Sequence, residues 1–173
     1  MVKGKRIMLR SIELEDSRLL SAWLNDRETN SGLDIIYPKS KRYADNFVLD
    51  SEDETKKVFM IDDENYNPIG IVVIDKIKWE YRHCEIGIAI YKKDKRGQGY
   101  GHDALGTLLD FVFNNMNLEL AYLSVLEDNI PGVSLYKSLG FITEGILRKR
   151  YFRDGNYVNL ISMSLTREEF NNI

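Results

Sequence analysis

Residues that build disulfides and metal centres are nearly absent from this 173-residue chain. Cys84 is the one cysteine, so an internal disulfide framework and a thiolate metal cluster are both excluded. The two histidines, His83 and His102, lack the HExxH spacing that brings two imidazoles onto one face of a zinc-binding helix. The sequence therefore predicts no metal site, with Cys84 as a small core thiol and His83 as a solvated side chain.

Long apolar runs and a strong excess of one charge are also missing. No apolar run is long enough to cross a membrane, and residues 1–6 lack the apolar stretch of a secretory signal. The formal net charge is −3, so no overall field attracts nucleic acid. Two short basic runs, at 39–42 and 148–150, are more typical of solvated faces than of a nucleic-acid-binding domain. We expect a cytoplasmic protein with no membrane and no nucleic-acid partner.

What is present is the composition of an ordinary globular domain. Hydrophobic residues make up 43% of the chain and charged residues 29%. A chain of 173 residues is long enough for one sizeable core, and we find no internal repeat or linker. We therefore expect a single domain over residues 1–173.

Apolar residues recur with the periods of strands and helices along the whole chain. The first half predicts a strand, two helices and a meander of three strands, at 6–11, 13–24, 40–48, 57–61, 69–77 and 84–91. The second half predicts a helix at 104–116, a strand covered on both faces at 118–126, a short helix after Asn129 and a hairpin turning at Asp154-Gly155. This order is typical of one α+β domain in which helices cover a single sheet.

Three glycines at alternate positions follow an arginine between the third meander strand and the next helix, as Arg96, Gly97, Gly99 and Gly101. Glycine lets consecutive backbone N–H groups turn toward one point, and the helix N-terminus adds a partial positive charge, so the arrangement suits phosphate. A Walker A loop is excluded because no Lys-Ser/Thr pair follows Gly101. A dinucleotide fingerprint is excluded because His102 stands where its last glycine belongs. The remaining alternative is a glycine-rich surface turn.

The segment from Arg96 to Gly101, RGQGYG, resembles the R/Q-x-x-G-x-G/A signature of the GNAT family of acetyl-CoA-dependent N-acetyltransferases. Further along, Asn129 precedes Tyr136 by seven residues, and the segment 135–141, LYKSLGF, is similar to the second motif of that family. The opening strand and helix and the closing hairpin resemble the branch that contains ribosomal-protein alanine N-acetyltransferases. The resemblance covers nearly the whole chain, with the motifs in the family's order and spacing.

The resemblance implies a GNAT-like α+β fold: a mostly antiparallel mixed sheet of about six to seven strands, flanked by helices and splayed at the strand before the glycine loop. It implies acetyl-CoA as cosubstrate and direct attack on it by a primary amine. The implied acceptor is a protein N-terminus or a small amine, with spermidine or another polyamine, an aminoglycoside or an amino sugar as alternatives. A CoA-binding regulatory module is the non-enzymatic alternative. Many relatives pair as a homodimer.

For the donor, the resemblance implies that the loop amides contact the CoA pyrophosphate and that the preceding strand contacts the pantetheine arm. The residues assigned to these contacts are Ala89, Ile90, Tyr91, Arg96, Gly97, Gln98, Gly99, Tyr100, Gly101 and Asn129. The splay would also direct N–H groups toward the thioester carbonyl, as in an oxyanion hole. Asn129 precedes Pro131 as a helix N-cap would, and the two roles are compatible. The sequence Gly132-Val133-Ser134 departs from the family's pattern. Because these residues form the first turn of the predicted helix after Asn129, we expect the departure to affect the orientation of the Asn129 side chain.

Tyr136 is the candidate acid for the departing thiolate, because a phenol with an ordinary pKa of about 10 is protonated at neutral pH. Glu85, an acid inside an apolar strand, is the candidate base that takes a proton from the amine. An outward-facing strand residue is the alternative for Glu85. Glu127, Asp128 or a water chain would then be the base.

Acceptor contacts are implied for the N-terminal helices and loops, a turn of the meander and the last hairpin, at 23–47, 79–83 and 151–157. The acidic run at 50–54 would attract a polyamine or an aminoglycoside, although such a run is more often a hydrated loop.

Overall fold

The computed structural model describes residues 1–30 and 37–172. The strands within this part of the chain are β1 (Val2–Lys3), β2 (Ile7–Ser11), β3 (Lys57–Asp63), β4 (Pro68–Lys78), β5 (His83–Ile90), β6 (Leu120–Leu126), β7 (Ile142–Arg153) and β8 (Asn156–Thr166). The helices are α1 (Ser17–Leu24), α2 (Lys41–Leu49), α3 (Tyr100–Asp110), α4 (Ile130–Ser138) and α5 (Arg167–Asn171). Short 3-10 turns lie at Leu14–Asp16, Asp50–Glu52 and Lys93–Lys95, and α3 runs into a π-helical turn at Phe111–Asn115. None of the described helices is long and apolar enough to cross a membrane.

The strands form one sheet in the order β1-β2-β3-β4-β5-β6-β8-β7. All neighbouring strands are antiparallel except β5 and β6, which are parallel, so the expected mixed and mostly antiparallel sheet is confirmed. The sheet has eight strands rather than six to seven. The strand that sequence reasoning missed, β1, has two residues, which is too short for a period of two to be recognised.

The expected splay is present between β5 and β6. The two strands pair only where His83, Cys84 and Glu85 lie beside residues 120–122. Beyond that point β5 continues to Ile90, paired with β4 alone, while β6 continues to Leu126, paired with β8 alone. The sheet therefore opens just past Glu85, on the way to the glycine loop.

Helices pack on both faces of the sheet. On one face, α3 and α4 cover the larger apolar cluster, which includes Leu105, Leu109 and Phe113. On the other face, α1 and α2 cover a smaller cluster, in which Trp23 stacks on Tyr91 with ring centroids 4.8 Å apart. The described strand residues in or against this smaller cluster come from β3, β4 and β5, and none comes from β6, β7 or β8. We call this second side of β5, β6 and β8 the open face.

The strand β6 is buried along one side, while on the other side Leu126 alone among its described residues is fully buried, which corrects in part the expectation that both faces are covered. Ala121, Leu123 and Val125 are buried in the larger cluster. On the open face, Tyr122 is half-buried and Ser124 is exposed. The apolar run in the sequence did not reveal this difference, because it depends on α1 and α2 lying over β3 and β4 instead.

Short-range sequence signals mark where several elements begin and end, and the predicted start of α4 and the predicted hairpin turn are confirmed. Ser40 accepts a hydrogen bond from the Tyr43 amide and begins α2, and Pro131 lies in the first turn of α4. Gly140 follows α4 with φ of 88°, and the hairpin of β7 and β8 turns at Asp154-Gly155. These signals could be recognised because each depends on the conformation of a few neighbouring residues.

Gly70 lies where β4 passes close to the end of β5. A Cβ added to Gly70 would be 2.2 Å from the Ala89 carbonyl oxygen and 3.0 Å from the Ile90 Cα. Both are backbone atoms of a paired strand, so they move only if β5 shifts. We expect Gly70→Ala to lower the free energy of unfolding by about 1–3 kcal/mol, measured by urea denaturation.

Gly145→Ala is the matched control, because Gly145 also lies in a strand and an added Cβ there meets no atom within 4 Å. We expect its free energy of unfolding to change by less than about 0.5 kcal/mol. Equal losses in the two variants would show that the close approach at Gly70 is not the cause.

Candidate active site

The edge of β5 that faces away from β4 lines the opening between β5 and β6. The Tyr91 amide donates to the Ile69 carbonyl at 2.9 Å. This hydrogen bond shows which residues of β5 direct their backbone groups to β4 and which direct them away. Alternation along the ladder then directs the backbone groups of Ile86, Ile88 and Ile90 away from β4. Because β6 has already diverged, these groups point into the opening.

Of the three residues expected beside pantetheine, Ile90 alone has its backbone groups on this edge. Its carbonyl accepts a hydrogen bond from Arg96 Nε at 2.7 Å, which leaves its N–H directed into the opening. The backbone groups of Ala89 and Tyr91 are directed to β4. Sequence reasoning did not assign Ile86 and Ile88 to the opening. The direction of each backbone N–H and C=O group is known only once the strands are paired.

The glycine loop borders open space at two of its glycines. Gly97 has φ of 70° and Gly99 has φ of 88°, in the left-handed region that favours glycine. A Cβ added to either residue would meet no atom within 4 Å. Gly99 is the N-cap of α3 and offers no side chain to the first amides of the helix. The loop therefore fits a phosphate-bearing group, which backbone amides can approach closely here.

Arg96 attaches the loop to the rest of the protein. Its Nε donates to the Ile90 carbonyl and its Nη2 donates to the Thr29 carbonyl at 2.8 Å, which joins the loop to β5 and to the chain after α1. Both hydrogen bonds go to protein groups, so the position of Arg96 in the motif has a clear structural reason. Its contact with CoA stays a prediction.

The side chains of Gln98 and Tyr100 are also directed into the protein. The Gln98 side-chain amide donates to the Asp94 carbonyl. Tyr100 is buried, and its hydroxyl lies 2.9 Å from both carboxylate oxygens of Glu64. For both residues, the group that remains for a phosphate is the backbone amide.

The helix α4 lies against the start of α3. A Cβ added to Gly101 would be 3.5 Å from a methyl of Leu135, an ordinary contact, so helix packing at this point does not by itself require glycine. At the start of the second motif, Asn129 Oδ1 accepts a hydrogen bond from the Gly132 amide at 3.1 Å, as the N-cap of α4. A Cβ added to Gly132 would be 2.7 Å from Asn129 Nδ2, which gives the departure at Gly132 a reason.

Tyr136 lies on α4 and is buried, with its ring edge-on to Phe141 at a centroid distance of 5.8 Å. Burial raises the pKa of Tyr136 to about 12. The phenol is therefore protonated at every pH at which an enzyme normally works, as a general acid must be.

A row of polar side chains crosses the open face at the vertex of the splay, which is the point just past Glu85 and Tyr122 where β5 and β6 part. The register places Asp75 beside Glu85, Glu85 beside Tyr122, and Tyr122 beside Ser164, on four neighbouring strands. Ser164 Oγ then donates to Glu144 Oε1 at 2.8 Å. Sequence reasoning selected Glu85 from this row and missed the other members, because the row exists only once the strands are in register.

Glu85 has an internal partner in Lys76. The Lys76 Nζ lies 2.6 Å from Glu85 Oε2, and this hydrogen bond raises the pKa of Lys76. Lys76 lies in a bulge of β4 with φ of 48°, an uncommon conformation for lysine. Burial and the Glu85 charge raise the pKa of Tyr122. Glu85 thus lies between the Lys76 ammonium and a protonated phenol, at the point where the sheet opens.

The alternative bases are occupied elsewhere. Glu127 accepts from the Asn159 side-chain amide at 2.8 Å, and Asp128 pairs with Arg153 in the closing hairpin. Both contacts join the end of β6 to β7 and β8.

The regions expected to contact the acceptor have different environments. Trp23 is buried against Tyr91 and belongs to the core, while residues 31–36 of the same span lie outside the described residues. Tyr81 is exposed and stacks on His83, whose ring also meets the Tyr122 ring edge-on at 5.7 Å. The turn at 79–82 is therefore next to the polar row. Among the described residues, no group of three or more His, Cys, Asp or Glu could hold a metal ion.

The sequence matches the family model described as an acetyltransferase (GNAT) domain over residues 6–142. The chain belongs to the GNAT family. It is an acyltransferase that transfers an acetyl group from acetyl-CoA to an amine. For a thioester that is already activated, positioning is the main task of the enzyme.

Relatives of similar length are also acetyltransferases by name. The chain is 27% identical over 170 residues to the spermidine N(1)-acetyltransferase of Vibrio cholerae, covering 98% of both chains. It is 25% identical over 171 residues to the spermidine N(1)-acetyltransferase of Escherichia coli K12, covering 98% of this chain and 91% of that one. The structure also resembles a crystal structure of the Vibrio cholerae spermidine N-acetyltransferase with CoA and spermine, with a TM-score of 0.88, 26% identity and coverage of 98% of this chain and 100% of that chain.

These relatives are spermidine acetyltransferases and not specifically ribosomal-protein alanine acetyltransferases, so the GNAT family is confirmed at the level of the family rather than of that branch.

We expect Gly99→Ala to weaken CoA binding by about tenfold or more, because the added methyl group enters the space that the loop amides face. Isothermal titration of CoA measures the effect directly. Gly155→Ala is the control, since Gly155 also has positive φ and open surroundings but lies in the distant hairpin turn. A similar loss of CoA affinity in both variants would contradict the assignment.

We expect Tyr136→Phe to lower kcat by about 100-fold and to leave KM for acetyl-CoA within about threefold, because the ring is kept and the proton is lost. Because the pKa of Tyr136 is raised to about 12, its ionisation should not reduce kcat of the unmodified enzyme up to about pH 10. Steady-state kinetics over pH 6–10 would measure both. Tyr91→Phe is the control, since Tyr91 is equally buried and burial also raises its pKa. An unchanged kcat in Tyr136→Phe would remove the residue from the reaction.

Proposed function

We propose that this GNAT enzyme acetylates a polyamine such as spermidine, with the acceptor lying along the polar row of the open face. The observation that carries the proposal is this row, at the vertex of the splay, in a chain similar along its whole length to spermidine acetyltransferases. A polyamine carries ammonium groups separated by apolar methylene segments. Its recognition therefore needs carboxylates separated by less polar contacts.

The polar row has carboxylates that are separated by a less polar contact. Carboxylates lie at one end, in Asp75 and Glu85, and at the other end in Glu144, with the ring of Tyr122 between them. Neighbouring strands are about 4.8 Å apart, so three strand spacings separate Glu85 from Glu144 by about 14 Å. A monoamine would use one end of such a row, whereas an extended polycation can use both.

The acidic connector at 50–54 adds negative charge at the same end of the sheet. Trp79 Nε1 donates to the Glu54 carbonyl at 3.0 Å, and the Ile77 amide donates to the Thr55 carbonyl at 3.0 Å. These contacts hold the connector against the end of β4, which supports attraction of a polycation toward Asp75 and Glu85.

In the proposed reaction, Glu85 accepts a proton from the acceptor ammonium, directly or through water, and the free amine attacks the acetyl carbonyl. The N–H groups of Ile86, Ile88 or Ile90 polarise that carbonyl from the edge of β5. Tyr136 donates a proton to the departing thiolate. Asn129 and the amides from Gly97 to Gly101 hold the donor.

Glu85 must exchange partners for this role. Its internal partner Lys76 has a side chain that is 64% exposed, so their ion pair is partly solvated. Ion pairs of this kind contribute about 1 kcal/mol or less. An acceptor ammonium that arrives at the vertex can therefore replace the Lys76 ammonium at the carboxylate.

We expect purified enzyme to release the thiol of acetyl-CoA with spermidine at a kcat/KM at least about tenfold above that with a peptide α-amine, an aminoglycoside or an amino sugar. We also expect Glu85→Gln to lower kcat/KM for spermidine by about 100-fold, because the variant keeps the shape of the side chain and loses the base. A thiol-detection assay across the panel measures both effects.

Asp128→Asn is the matched control, since Asp128 is one of the alternative candidate bases and pairs with Arg153 away from the row. We expect its kcat/KM for spermidine to stay within about threefold of the unmodified enzyme. Preference for a peptide α-amine would replace the polyamine by a protein N-terminus as acceptor. A larger loss in Asp128→Asn than in Glu85→Gln would move the base to Asp128.

A further inference from the structure

Arg6 lies just ahead of β2, and its backbone is fixed against the first turn of α3. The amides of Lys5 and Arg6 donate to the two carboxylate oxygens of Asp103, at 3.0 and 2.6 Å. A Cβ added to Gly4 would be 2.7 Å from Thr107 Oγ1, so the N-terminal turn lies close on the helix. The Arg6 side chain therefore starts from a position that is fixed relative to α3.

From this position the Arg6 guanidinium reaches the glycine loop. Its Nη1 donates to the Gln98 carbonyl at 2.8 Å, and its Nη2 donates to the Tyr100 hydroxyl at 2.8 Å. The guanidinium carbon also lies 4.2 Å from the centre of the Tyr100 ring. One side chain thus holds the peptide before Gly99 and the residue after it. The planar fork of arginine suits two such contacts, whereas a single ammonium group does not.

The contact with the Gln98 carbonyl has a consequence for the neighbouring amide. The peptide between Gln98 and Gly99 is trans. In a trans peptide the C=O and the following N–H point in opposite directions. Because Arg6 holds the carbonyl on the side of β2, the N–H of Gly99 is directed away from β2. Gly99 has positive φ and open space around its Cα, so its peptide would rotate easily without this contact.

We infer that Arg6 is a positioning residue for the donor: it orients the Gly99 amide toward the CoA pyrophosphate without contacting CoA itself. The inference concerns the donor side, so it is independent of the identity of the acceptor. It also explains why a basic residue so near the phosphate loop directs two of its side-chain donors to protein groups. A residue that supplied only positive charge would leave its guanidinium free to face the phosphates.

The test compares Arg6→Met with Lys5→Met. Both variants remove one positive charge from adjacent positions beside the loop, and only Arg6 has side-chain contacts with Gln98 and Tyr100. We expect Arg6→Met to raise the Kd for CoA about tenfold and Lys5→Met to raise it less than about twofold, measured by isothermal titration. In kinetics, Arg6→Met should raise KM for acetyl-CoA by a similar factor and leave KM for the amine unchanged. General damage to the fold would raise both KM values.

Equal weakening in the two variants would overturn the inference, because the effect would then come from charge alone. Unchanged CoA affinity in Arg6→Met would overturn it as well. If Arg6→Met does not fold, Arg6→Lys decides the question, since lysine keeps the charge but cannot bond both Gln98 and Tyr100. We expect Arg6→Lys to bind CoA about three- to tenfold more weakly than the unmodified protein. Unmodified affinity in Arg6→Lys would show that the fork is not needed.

Discussion

The divergence of β5 from β6 is the constraint on which the rest of the site depends. A strand edge that leaves its neighbour exposes a line of N–H and C=O groups, and such groups need partners. Here the edge begins just past Glu85 and runs to Ile90, six residues before the glycine loop starts at Arg96. An extended chain with amide groups, such as the pantetheine arm of CoA, can pair with this edge as an added strand would. The splay, the loop and α3 thus form one continuous surface, along which we predict the contacts with the donor.

The basic side chains around the loop act mainly as tethers. Arg96 bonds carbonyls of Ile90 and Thr29, Arg6 bonds the Gln98 carbonyl, and Lys95 lies 2.9 Å from the buried carboxylate of Asp63. If CoA binds as predicted, this arrangement leaves its phosphates to backbone amides, whose positions are set by the fold. Amides held in this way need no reorganisation when the donor binds.

In the proposed function, two ammonium groups compete for one carboxylate on the open face. Lys76 pairs with Glu85 in the free protein, and the proposed acceptor would bring a second ammonium to the same place. The pair avoids an isolated carboxylate in a half-buried position, which would be costly. Because the Lys76 side chain is largely exposed, the ion pair is weak enough for an acceptor ammonium to replace the Lys76 ammonium. The same ion pair therefore protects the site before the acceptor binds and permits binding afterwards.

Sequence alone determined the features that depend on neighbouring residues. The alternating apolar pattern predicted most of the sheet, the glycines predicted a loop between β5 and α3, and Asn129 before Pro131 predicted the start of α4. Tertiary structure decided which edge of β5 faces the opening, that Lys76 meets Glu85, and that Arg6 holds the Gln98 carbonyl from 92 positions away. These contacts depend on strand register and on a bulge with positive φ. Neither leaves a periodic signal in the sequence, because each is fixed only when distant segments pack together.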